Sequence, residues 1–160
     1  MKTLVLTGWG WKEYAVAAAA ALAAIGDDVE VLGMSRRRLP EFMEREAAHW
    51  RRIVLVGIGL SGDEARLARA LQSLKGKTKV VWISAIPLAD SHRRTLAPYM
   101  KVLEFAGGPF SGSLVKAVGA AFGTDVSRFL PYAAEGAKTP KYVGNVAKLG
   151  MESVSEVSGI

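Results

Sequence analysis

Ile53-Val54-Leu55-Val56-Gly57-Ile58-Gly59 decides the fold. Four consecutive apolar residues leave no polar face, so a strand built from them is covered on both sides. That is the condition of a parallel sheet clad by helices; strands of a half-exposed antiparallel sheet alternate polar and apolar instead. Two more runs read the same way. Leu4-Val5-Leu6-Thr7 leads into Gly8-Trp9-Gly10-Trp11, and Val80-Val81-Trp82-Ile83 leads into Ser84-Ala85-Ile86-Pro87.

The segments between these runs read as helices. Residues 12–25 are alanine-rich, which favours a slim helix that packs closely, and Gly26 is placed to end it. Pro40 suits a first helical turn, so residues 40–50 are expected to form a second helix. A third, capped by Ser61 or Asp63, carries Leu67, Ala70, Leu71 and Leu74 on one face. A fourth, capped by Asp90 or Ser91, ends near Pro98, and a fifth opens at Ser111 or Ser113 and runs to Phe122. Strands are expected at 3–7, 29–32, 53–56, 79–83 and 101–105. Strand and helix therefore alternate, which implies an α/β fold: a doubly wound, mainly parallel sheet of about five strands with helices on both faces. Residues 1–123 make up this domain, 124–150 a small helical extension, and 151–160 a tail or linker.

With 160 residues, half of them apolar, one core is easily filled. The chain has no cysteine, which excludes disulfides and thiolate metal sites and fits a cytoplasmic setting. The longest uncharged apolar run, residues 14–25, is too short to cross a bilayer, so no membrane partner is expected. The net charge is +6, with Arg and Lys in small groups at 36–38, 51–52, 75–79, 93–94 and 138–141. No aromatic residues interleave with them as a nucleic-acid platform requires, so these groups read as a solvated surface.

In an open α/β sheet, ligands gather beyond the carboxyl ends of the strands. Here those ends are poor in titratable groups. Gly8-Trp9-Gly10 sits where a dinucleotide-binding loop carries its glycines, but Glu13 stands where the third glycine belongs. Gly59-Leu60-Ser61-Gly62-Asp63 approaches a nucleophile elbow, with Asp63 in place of the second glycine. The only histidine after Ser61 is His92, which leaves no place for the usual late acid and histidine. Ser61 therefore reads first as a helix cap. Asp90 and His92 are close enough in sequence to pair or to share a metal, though two separated histidines do not make a metal site. His49 reads as a helix-end residue.

Several phrases resemble the N-terminal domain of the DHH phosphoesterase family, which includes RecJ-type exonucleases, exopolyphosphatases and oligoribonucleases. Leu4-Val5-Leu6-Thr7 followed by an alanine-rich helix is similar to the family's opening strand and helix. Val54 to Ser61 has the shape of its acid-bearing later strand, and Val81-Trp82-Ile83-Ser84-Ala85-Ile86-Pro87 that of its Asp-His-His strand. Phe110 to Val115 resembles its Ser/Thr-rich turn opening a helix. The resemblance covers about residues 3 to 122 and departs at each metal ligand. The first-strand acids fall near Gly10 and Lys12, the next on Gly57, and Asp-His-His becomes Ser84-Ala85-Ile86. Two-metal hydrolysis needs those groups, and a lysine opposes a divalent cation.

The resemblance therefore implies a degenerate, non-catalytic sensory or regulatory domain; the lone domain and its linker-like terminus add the expectation that it is the N-terminal module of a larger regulator. No catalytic residue, metal or cofactor is expected. The expected ligand is a phosphorylated small molecule or nucleotide at the carboxyl edge, held by Gly8, Gly10, Lys12, Gly57, Gly59, Ser61, Ser84 and Arg93. Two alternatives stand beside this reading. One is a phosphoester or ester hydrolase using Ser61 or Ser84 with His92; the other is an interaction or homodimer module presenting Trp9, Trp11 and Phe110.

Overall fold

Most strands of the sheet supply apolar side chains to both of its faces, which places them between two layers of helices; the strand at one edge turns Leu32 to solvent (41 % exposed). The strands are β1 (Thr3–Thr7), β2 (Val29–Gly33), β3 (Arg52–Val56), β4 (Lys79–Ser84) and β5 (Lys101–Glu104). The computed structural model describes residues 2–8, 12–26, 28–59, 62–84, 88–104 and 112–133 (for residues 12 and 104, the backbone only). All four pairings are parallel and the strand order is β2-β1-β3-β4-β5. The helices are α1 (Lys12–Ile25), α2 (Leu39–Arg45), α3 (Glu64–Leu74), α4 (Asp90–Leu96), α5 (Ser113–Phe122) and a single turn, α6 (Leu130–Ala133).

Successive residues of a strand point to opposite faces, which sorts the core in two. Val5, Val54, Val56 and Ile83 join α1, α5 and α6 on one side. Leu4, Leu6, Ile53, Leu55, Val80 and Trp82 join α2, α3 and α4 on the other. The fold is thus a doubly wound α/β domain, as the apolar runs require. In α1 the stretch from Ala15 to Ala21 is buried on every side, with no residue more than 3 % exposed. Alanine permits this because sheet and neighbouring helices approach its short side chains closely. In α3, Leu67, Ala68, Ala70, Leu71 and Leu74 are buried while Arg69 and Gln72 face out.

The bounds of α1 agree with the expectation, and Gly26 ends it in the left-handed region (φ +84). The second helix does not. It stops at Arg45 and is followed by a separate 3-10 turn, Ala47–His49, which holds His49. The Thr78 hydroxyl, from a distant part of the chain, donates to the carbonyls of Ala47 (3.2 Å) and Trp50 (2.7 Å) and fixes this break. The expected aspartate caps also differ. Asp63 precedes α3 but makes no capping hydrogen bond, and α4 is preceded by Ala89, with Asp90 already helical. Residues 134–160, and with them most of the expected extension and the tail, lie outside the described residues. Among the described residues no helix is long and apolar enough to cross a membrane.

Candidate functional site

The strand order reverses direction between β1 and β3, and in doubly wound sheets that switch point is where ligands settle. Gly8 and Gly57 meet there. The parallel ladder runs past both strand ends: the Gly8 N–H donates to the Val56 carbonyl (3.4 Å) and the Gly57 N–H to the Ile83 carbonyl (3.2 Å). Gly57 has φ +72, a conformation that side chains disfavour. Space forbids a side chain as well. A Cβ on Gly57 would lie 2.7 Å from the Tyr14 ring, and one on Gly8 would lie 2.9 Å from the Gly57 carbonyl oxygen. The floor of the crevice is therefore bare glycine backbone closed by the half-buried ring of Tyr14. The buried Thr7 hydroxyl donates to the Tyr14 carbonyl (3.3 Å) and ties the end of β1 to the first turn of α1.

Ser84 is the last residue of β4, one strand further along, and is buried. Gly59 follows β3 and is exposed; a Cβ there would lie 3.8 Å from Cδ of Arg36. Arg36 thus leans over the Gly59 backbone at the carboxyl edge. Arg93 is exposed in the last turn of α4, the helix that follows β4. Of the eight expected ligand residues, Gly8, Gly57 and Ser84 are brought together along adjoining strand ends, with Gly59 beside them and Arg93 on the following helix. Gly10 and Ser61 lie outside the described residues, as does the side chain of Lys12. The apolar surface expected from Trp9, Trp11 and Phe110 lies outside them too.

Two carboxylates at this edge, Glu64 and Glu13, have defined partners. Glu64, in the first turn of α3, accepts from the Gly62 N–H (3.1 Å) and lies 3.5 Å from Nε2 of His92. His92 therefore pairs with Glu64 of the neighbouring helix rather than with Asp90. Glu13, only 2 % exposed, accepts from the Leu114 N–H (3.2 Å) at the start of α5. Its other oxygen, Oε2, is buried without a hydrogen-bond partner. Burial pushes the Glu13 carboxyl up to about 7, against the opposing pull of backbone N–H groups at Leu114, Val115 and Gly112. Burial, and then the Glu13 charge beside it, also raises the Tyr14 phenol.

Helix N-termini attract anions. At α5 that role is taken by Glu13, and beside the start of α3 it is taken by Glu64. Glu13, Tyr14 and Arg36 are the site residues that sequence reasoning missed. Glu13 had a visible signal, since it is the one acidic residue in an otherwise apolar helix. Arg36 had none, because its approach to Gly59 is purely tertiary.

Chemically, the edge presents the exposed Gly59 backbone and the side chains of Arg36 and Arg93, with Ser84 buried at the end of β4; the Gly8 and Gly57 N–H groups are taken up by the ladder. Among the described residues no group of three or more His, Asp or Glu side chains is placed to hold a metal ion. No protein-family model matches this chain, and no curated protein matches it at a significant level.

Proposed function

We propose that this chain is a non-catalytic sensory or regulatory domain, related in design to the DHH phosphoesterases, that takes a phosphorylated small molecule or nucleotide at the carboxyl edge of its sheet. The observation that carries the reading is the switch point itself. Gly57 stands where the resemblance puts a metal-binding carboxylate, with Gly8 beside it, Ser84 on the next strand and Arg36 and Arg93 at the rim. Arginine recognises phosphate through paired donors, and Arg36 lies beside the exposed backbone of Gly59, where no side chain bars an anion. The same groups supply no carboxylate pair for activating water.

Thermal unfolding of the chain in the presence of single nucleotides and phosphorylated metabolites tests this, run beside calorimetry with manganese. A true ligand at about 100 times its Kd stabilises the fold by about 2.7 kcal/mol. That stabilisation is expected to fall in Arg36→Ala and in Arg93→Ala. Manganese-dependent turnover of a phosphodiester, abolished by His92→Ala, would overturn the reading in favour of an enzyme. Failure of every phosphorylated compound to stabilise the chain would overturn it too.

A further inference from the structure

The opposite edge of the sheet, where the strands begin, carries a concentration of charge that the reading above leaves unused. Thr3, Arg52 and Lys79 stand side by side on the first rungs of β1, β3 and β4. Arg51 precedes β3, and the turn from Gly76 to Thr78 precedes β4. Together they line one open cleft of about 560 Å³. Its four charged side chains, Arg51, Arg52, Lys77 and Lys79, are all cations. None of the ion pairs among the described residues engages them. The acids at the neighbouring start of β2, Asp28 and Glu30, act on Lys2, with Glu30 at 3.0 Å.

The walls are fixed by main-chain bonds. The Arg51 N–H donates to the Lys2 carbonyl (3.1 Å), and the Lys79 N–H donates to the Arg51 carbonyl (3.0 Å). Nε of Arg52 donates to the Thr3 hydroxyl (3.3 Å), and its guanidinium carbon lies 5.8 Å from the centroid of the Phe122 ring. One cation is thus anchored, while Arg51, Lys77 and Lys79 are exposed beside it. Cations often gather at helix C-termini, where they offset the partial negative charge of the last carbonyls. That accounts for Lys75 and Lys77, just after α3. It leaves Arg51, Arg52 and Lys79, which stand at strand starts.

The geometry points to a second anion site, at the amino edge of the sheet, for a compact oligophosphate such as the triphosphate of a nucleotide. One phosphate group carries about two negative charges, half of what four cations balance. A chain of linked phosphates matches the cleft better and places several oxygens within reach of different walls. Like charges held together without acids raise the local concentration of such an anion.

The test is calorimetric titration of the whole chain with inorganic triphosphate, and separately with orthophosphate, at low salt. Two double variants with the same change in net charge separate the edges. Arg51→Glu with Lys77→Glu alters the proposed cleft, and Arg36→Glu with Arg37→Glu alters the carboxyl edge. The first is expected to weaken triphosphate binding by about tenfold or more, the second by less than about threefold. Orthophosphate is expected to bind far more weakly than triphosphate. Equal losses in both variants would mean diffuse attraction to a cationic surface and would overturn the proposal. Loss confined to the Arg36 and Arg37 variant would place triphosphate at the carboxyl edge and also overturn it, leaving the proposed function standing. Should the Glu variant fail to fold, Arg51→Gln with Lys77→Gln is expected to give a smaller loss in the same direction, and unchanged binding there counts against the site.

Discussion

Glu13 is a carboxylate kept in a place that disfavours its charge. Burial pushes its carboxyl up to about 7 because three N–H groups at the start of α5 do not replace the lost water. The folded chain therefore holds a proton that the unfolded chain releases between about pH 4.5 and pH 7. Over that window the unfolded state binds fewer protons, so this group's contribution to stability falls as pH rises, by about 3 kcal/mol in all. Glu13→Gln keeps the acceptor for the Leu114 N–H and removes the ionisation. Urea unfolding at pH 5 and pH 8 should show the variant matching the parent at pH 5 and exceeding it at pH 8 by about 2 to 3 kcal/mol. Parallel pH profiles for the two chains would show that Glu13 stays protonated, or finds a partner, at pH 8. The carboxyl was legible in the sequence as the one acidic residue in a largely apolar helix. Its partner was not, because the Leu114 amide is 101 residues away.

At the scale of elements, the sequence carried most of the architecture and little of its joinery. Ile53 to Val56 and Val80 to Ile83 have apolar side chains for both faces, and that alone requires parallel strands between helices. Helix ends were harder to read, because the groups that set them come from elsewhere in the fold. Thr78 holds the 3-10 turn that follows the second helix, and Glu64 rather than Asp63 satisfies the Gly62 amide before α3. The exit of β3 is held in the same way. The Trp82 indole, 3 % exposed on β4, donates to the Ile58 carbonyl at 2.8 Å. This bond fixes the turn that carries Gly57 and Gly59. Trp82→Phe leaves that buried carbonyl unpaired, and the expected cost is about 2 kcal/mol in a urea melt, more where the lost ring volume stays empty. An unchanged midpoint would mean the carbonyl has found another donor. The glycines of the site were visible as strand ends, but the Tyr14 ring that seals them follows only from the way α1 docks.

For the whole molecule, the two edges of the sheet differ in chemistry. The carboxyl edge gathers glycine backbone and internal carboxylates; the amino edge gathers cations. Between them β1 is the most protected element, buried at every residue and hydrogen-bonded on both sides. Its amides are expected to exchange with solvent only through global unfolding, while those of the edge strands β2 and β5 exchange sooner through local opening. Residue-resolved hydrogen exchange checks this, and β5 amides as slow as those of β1 would contradict it.

The order β2-β1-β3-β4-β5 also has a meaning in time. As the chain leaves the ribosome, β1 and β2 are the first strands to appear, and the order lets β3 be added on the free side of β1, β4 beside β3 and β5 beside β4. Each newcomer adds to an edge that is already standing, and none has to be inserted between two partners. Parallel pairing normally demands distant closures and folds slowly. Here the sheet can grow outward at the pace of synthesis, with a single growing edge exposed at each stage.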